Sequence, residues 1–160
     1  MWFDLKPCGP EWGKDAPFFF ENTRILSATP ARVFDVLMDA TSWPQWFPDM
    51  EDVEYTTPPP VGVGSKRIVT LRGQRLEEVF TVFEPGKRWA FYVERSTVPL
   101  TSHFQEDYRL EAVGEGQTRL DWYVYFRPHR PLHLLRRAIS PMLDKMFREG
   151  MTNLDDYLKG

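Results

Sequence analysis

The sequence predicts an α+β fold in which an antiparallel strand meander lies between two groups of helices. Three observations carry that prediction. Residues 50–128 read as β-rich segments separated by short turns containing Gly or Pro, and turns that short join only antiparallel neighbours. Ahead of them, ATPARVFDVLMDA places Val33, Phe34, Leu37 and Met38 at helical spacing. Behind them, apolar residues recur at intervals of three and four towards the end of the chain. Helices segregated from an antiparallel sheet define the α+β class.

Each element has its own local reason. Residues 1–16 carry Pro7, Gly9, Pro10 and Gly13 and are expected to be an irregular extension, held down by Trp2, Phe3 and Trp12. A single domain is expected over residues 17–160. It opens with the strand PFFFENTRILS, bounded by Pro17 and Pro30. Thr29 is placed to cap the first short helix, and Pro30 suits its first position. In TSWPQWFP, Ser42 is the expected cap of a second, shorter helix.

MEDVEYTT starts the meander, and the stiff stretch TPPPVGVGS turns it. SKRIVTLRG and QRLEEVFTVFE meet near Gly73, and EPGKR is a hairpin turn leading into WAFYVERS. TSHFQEDYRLEAV and TRLDWYVYFRP are long strands joined by GEGQ. A final helix is expected over residues 131–158, with Pro141 kinking or dividing it near Ser140. Its stripe of Leu135, Ile139, Met142, Leu143, Met146, Leu154 and Tyr157 needs a surface to lie on. A long sheet curling around that helix leaves space between them, and the two short helices are placed to close one end.

Composition narrows the function. The chain has 160 residues, enough to bury a real core in one domain. A net charge of −3 argues against a broad nucleic-acid surface. Cys8 is the only cysteine, so no internal disulfide can form and a reducing, cytoplasmic setting is expected. No signal-peptide pattern or membrane-length apolar run is present, which excludes integral insertion but leaves transient docking open. Either a monomer or a homodimer fits.

The order of several motifs resembles the START-like superfamily: polyketide cyclases and dehydrases, START lipid-transfer domains and the birch-pollen allergen group. The matching pieces are Ile25, Ala28, Pro30, Val33, Phe34, Asp39, Trp43, Trp46 and Pro48, then the VGVG turn at 61–64. The EPGKR turn, the strand from Gly116 to Trp122 and the ending from Leu154 to Lys159 complete the likeness, which covers residues 18–160. The resemblance implies a helix-grip fold, with a curved antiparallel sheet around the C-terminal helix and a deep ligand cavity between. It also implies a lipid-like, aromatic or polyketide ligand.

Strand alternation assigns the walls of such a cavity. Phe104, Glu106 and Tyr108 share one face; His103, Gln105, Asp107 and Arg109 share the other. On the next strand Leu120, Trp122 and Val124 are expected inward, opposite Arg119, Asp121, Tyr123 and Tyr125. Trp89, Phe91 and Val93 join them, with Phe80 beside them. Ile139, Met142 and Met146 are expected from the long helix, and Trp43 and Trp46 from the second short helix. The plain alternative for each of these side chains is closed core.

Acid–base candidates are fewer. Glu77 and Glu78 face opposite sides of a strand, so one of them points inward. Glu78 and Tyr108 are the inward candidates, with His103 or Asp107 if the alternation runs the other way. His129 and His133 stand four apart, but Pro131 lies between them and no carboxylate or thiol accompanies them, so a basic corner is expected rather than a metal site. No cofactor motif is present.

Two main functions follow. One is binding or transport of a small hydrophobic molecule, since burying about ten carbons at ~0.8 kcal/mol each supplies on the order of 8 kcal/mol before association costs. The other is a cyclase/dehydratase-type enzyme using an acid/base residue in the same cavity. A protein-interaction role would instead require a broad exposed apolar patch.

Overall fold

The chain builds β1 (Phe3–Asp4), β2 (Phe18–Leu26), α1 (Pro30–Met38), α2 (Trp43–Trp46), β3 (Met50–Tyr55), β4 (Lys66–Leu71), β5 (Gln74–Glu84), β6 (Arg88–Ser96), β7 (Thr101–Gly114), β8 (Gln117–Pro128) and α3 (Arg136–Leu158). These elements come from a computed structural model. It describes the backbone of residues 1–160 and every side chain except those of His133, Leu135 and Arg136. The expected places of Leu135 in the helix stripe and of His133 beside His129 therefore lie outside the described residues.

Local chemistry explains the element boundaries. The Thr29 hydroxyl accepts the Arg32 N–H at 3.2 Å, and Pro30 occupies the first turn of α1. Ser42 does not cap α2 as expected. Its hydroxyl donates back to the Val36 carbonyl at 2.7 Å, which ties α2 to the end of α1. Between β4 and β5, Arg72 and Gly73 both adopt positive φ, 50° and 75°. That pair of conformations suits the strand twist of a two-residue hairpin, and Gly adopts it without strain.

The strands form one antiparallel sheet in the order β2-β8-β7-β6-β5-β4-β3, with β1 added to β6. The meander expected from the short turns is present from β3 to β8, and β2 closes onto β8. β2 and β3 are thus the two edges. The sheet curves around α3, and α1 and α2 sit between its first two long strands in sequence.

The N-terminal stretch differs from the irregular segment expected. β7 pairs with β6 only between Arg88 and Tyr92. Farther along β6, Arg95 and Ser96 pair instead with Asp4 and Phe3 of β1. The Leu5 N–H then bonds to the Glu94 carbonyl at 2.8 Å, and the Lys6 N–H to the Ser102 carbonyl at 2.9 Å. Residues 3–6 therefore fill a split between β6 and β7, because backbone groups left open there need partners. Trp2 lies under the guanidinium groups of Arg95 and Arg75, at 4.6 and 5.3 Å. Trp12 opens a 3-10 turn, Trp12–Asp15, and stacks on His103 at 5.0 Å.

The C-terminal helix also departs from expectation. Residues 130–135 form a 3-10 segment, and α3 starts at Arg136 and runs unbroken through Pro141. Pro141 stands within the first two turns, so its missing N–H removes one helical bond near an end rather than in the middle. Farther on, Gly150 lets α3 approach α2: a Cβ there would stand 3.1 Å from the Phe47 ring. Asn153 of α3 donates to the Trp46 carbonyl at 3.0 Å and fixes the same contact.

Candidate functional site

Between the concave face of the sheet and α3 lies a cavity of about 600 Å³, ordinary for a small-molecule site. Its sides are apolar: Phe18, Phe20, Val93, Phe104, Val124 and Phe126 from the sheet, and Ile139, Met142, Leu143, Met146 and Phe147 from α3. Leu5 of the N-terminal stretch is part of the wall. Toward the surface the cavity is bordered by Arg72 and Gly73 of the β4–β5 turn, Val98 and Leu100 of the β6–β7 loop, and Met142. The last three are exposed although apolar, which marks this end as the mouth.

The blind end is different. There Trp43, Arg67, Glu78, Glu106, Tyr108 and Trp122 converge, all of them buried. Arg67 is 1% exposed. Its Nε donates to Glu78 Oε2 at 2.6 Å, and its Nη1 to the Leu37 carbonyl at 3.1 Å. The guanidinium lies over the rings of Trp89, Trp43, Phe80 and Tyr55, between 4.6 and 5.8 Å from their centroids. Desolvation of the cation is offset by a directly bonded carboxylate and by ring faces, the two partners a buried Arg needs. The Glu78 carboxyl is raised by burial, an effect opposed by the adjacent Arg67. Burial is the largest single effect on Arg67 and opposes its charge, but Glu78, Tyr55 and Tyr108 together raise its pKa on balance.

Glu106 stands beside this pair without a cation of its own. Its Oε1 accepts from Trp122 Nε1 at 2.6 Å and from the Tyr108 hydroxyl at 3.0 Å. Burial, with the nearby Glu78 charge, pushes its pKa up to about 8 despite those two donors. Glu106 is therefore largely a neutral acid at pH 7. Burial, with Glu106 next in effect, raises Tyr108 well above its ordinary value and keeps it a phenol.

The sequence-derived candidates divide as follows. Trp43, Phe104, Tyr108, Trp122, Ile139, Met142 and Met146 line the cavity. Trp46, Phe80, Trp89, Phe91 and Leu120 do not: they are fully packed behind its wall. The reason is the stacking at the blind end, where Trp89 meets Tyr108 at 4.5 Å and Phe80 at 5.2 Å, so one layer of rings covers the next. Trp46 is covered in the same way by Trp43, at 4.4 Å.

Glu78 points into the cavity, while Glu77 pairs with Arg95 at 2.7 Å. His103 lies on the other face against Trp12, so it cannot reach the cavity, and burial lowers its pKa. Asp107 is likewise outside, bonded to Arg88 at 2.9 Å and Arg109 at 3.1 Å. Sequence reasoning placed Glu106 on the inward face but did not single it out; an inward carboxyl between two inward aromatics was the available signal. Arg67 and Leu5 were missed, and nothing in their local sequence marks them.

The family described as polyketide cyclase / dehydrase and lipid transport matches residues 18–159. An uncharacterized protein of Mycobacterium tuberculosis is 34% identical over 157 residues, covering 96% of this chain and 93% of the relative. Among solved structures, a Streptomyces aromatase/cyclase superposes with a TM-score of 0.73 at 16% identity, covering 89% of this chain and 93% of that one. A START superfamily protein of Mycobacterium smegmatis gives 0.67 at 14% identity, covering 89% and 94%. At those identities the structural likeness establishes the helix-grip fold.

Proposed function

The chain belongs to the polyketide cyclase/dehydrase and lipid-transport family of START-like proteins, and on that premise we propose that it binds and carries a small hydrophobic molecule in the cavity between its sheet and α3. The observation that carries this reading is the cavity itself: about 600 Å³, lined by aliphatic and aromatic side chains, with a few polar groups gathered at one end. Apolar burial supplies the affinity, and the polar end supplies orientation. The family, described as polyketide cyclase / dehydrase and lipid transport, supports a hydrophobic ligand.

Native mass spectrometry after gentle purification tests it, together with thermal shifts against a panel of lipids and aromatic compounds. A copurifying small molecule, or a melting temperature raised by apolar ligands, is the expected result. Failure of every apolar ligand to bind would sink the reading.

A second reading is favoured by one observation, the neutral Glu106 in the cavity wall. A carboxyl with a pKa pushed up to about 8 is suited to give a proton to a carbonyl or departing hydroxyl at neutral pH. On this reading the chain assists aldol closure and dehydration of a poly-β-ketone. Incubation with a short poly-β-ketone mimic, followed by mass spectrometry for loss of water, is the assay. Glu106→Gln should abolish that loss while binding persists; equal turnover by the variant would remove Glu106 from any such chemistry.

A further inference from the structure

The polar end of the cavity shows which ligand heads it can accept. Resting on the hydrophobic-carrier reading, we propose that Glu106 is the specificity-determining residue, offering its Oε2 hydroxyl as a hydrogen-bond donor that selects ligands with an uncharged oxygen acceptor and turns away anionic ones.

Geometry places the donor. Oε1 of Glu106 already accepts two hydrogen bonds, from Trp122 Nε1 and the Tyr108 hydroxyl. The proton of the neutral acid therefore sits on the other oxygen, Oε2. Among the described residues Oε2 has no hydrogen-bond partner, and Glu106 lines the cavity. An O–H facing an apolar cavity without a partner is costly, and a ligand oxygen relieves that cost.

Charge settles the kind of oxygen. Facing Glu106 are Arg67 from β4, Glu78 from β5 and Tyr108 from its own strand; the α3 residues lining the cavity carry no charge. Arg67 is already closed on Glu78 at 2.6 Å, so the pair sums to zero. Neutral Glu106 and the Tyr108 phenol add nothing. A ketone, aldehyde, ester or neutral hydroxyl keeps that balance. A ligand carboxylate would place an uncompensated negative charge beside two carboxyl groups in a largely apolar pocket.

The test uses three probes of one shape: naphthyl methyl ketone, naphthoate and naphthalene. Their affinities are measured by calorimetry on wild type, Glu106→Gln and Glu106→Leu. In wild type at about pH 7 the ketone should bind roughly tenfold tighter than either of the others, the value of one well-made hydrogen bond at its upper range. Glu106→Leu should lose that preference while still binding naphthalene, which also reports that the cavity has formed.

Glu106→Gln keeps an amide donor and cannot ionise. It should retain the ketone preference at all pH values, whereas in wild type the preference should decay above about pH 8, where Glu106 loses its proton. Equal binding of all three probes would overturn the selection and leave the carrier reading standing, as would tightest binding of naphthoate. If none of the probes binds while a lipid of the panel does, this proposal falls and the carrier reading stands; if no apolar ligand binds at all, both fall. A ketone profile in wild type that matches Glu106→Gln across the pH range would show that the Glu106 proton is not the donor.

Discussion

Glu106 links burial to pH. Its folded pKa is pushed up to about 8 from an ordinary value of 4.5, so the native state holds a proton that the unfolded chain releases. Stability from this group is complete below pH ~4.5 and declines as pH rises toward ~8, by on the order of 5 kcal/mol across that window. Glu106→Gln should flatten that part of the stability curve and be the more stable protein at about pH 9, as urea denaturation at stepped pH would show. An unchanged slope would mean that Glu106 is ionised in the native state. Its neighbour Arg67 behaves in the opposite way: Glu78→Leu leaves a fully buried guanidinium unpaired and should cost about 3–5 kcal/mol, whereas replacing both partners with apolar residues should recover much of it. Trp122 and Arg119 make a third comparison on one strand. Trp122 lines the cavity and donates to Glu106, while Arg119 is exposed and bonded to Asp121 at 3.1 Å. Trp122→Ala should weaken ligand binding at least tenfold relative to Arg119→Ala in a fluorescence titration; equal effects would contradict the placement of the cavity.

At the scale of elements, the N-terminal stretch carries the sharpest expectation. Residues 3–6 fill the split between β6 and β7, Leu5 forms cavity wall, and the Gln105 side chain donates to the Gly9 carbonyl at 2.6 Å. Deleting residues 1–9 should lower the melting temperature by several degrees and speed the exchange of a bound apolar dye, since both open backbone groups and a gap in the wall result. Unchanged exchange would show that the split closes on its own. Cys8 reports on the same stretch in the intact chain. It is 2% exposed and its thiol is pushed up to about 11 by burial, so labelling at about pH 8 should be at least a hundredfold slower than that of a free cysteine. The strands and α1 were legible because their signals are local: alternation, Gly–Pro turns, Thr29 and Pro30. β1 was not, because two residues acquire strand geometry only from the partner they meet on β6. The start of α3 was misplaced for a related reason: Pro131 suits the opening of either a 3-10 or an α-helix, and packing against the sheet decides between them.

For the whole molecule, the cavity and its ligand share one balance. A ligand at a hundredfold excess over its Kd adds about 2.7 kcal/mol to stability, a melting shift of about 5–10 °C for a chain of this size. Among the described residues no helix is long and apolar enough to cross a membrane. Val98, Leu100 and Met142 are exposed apolar side chains that border the cavity. The sequence by itself determined the α+β class, the order of elements from β2 onward, the strand faces and, through its motif order, the helix-grip family. It also placed Trp43, Tyr108 and Trp122 on the inward side, because side-chain alternation is a property of the backbone. Only the tertiary structure decided which inward residues touch empty space and which are covered by another ring. It alone brought Arg67, Glu78 and Glu106 from three strands to one buried end, where the cost of burying charge sets their protonation. Alternation fixes direction residue by residue; curvature, depth and desolvation depend on every element packed around the point.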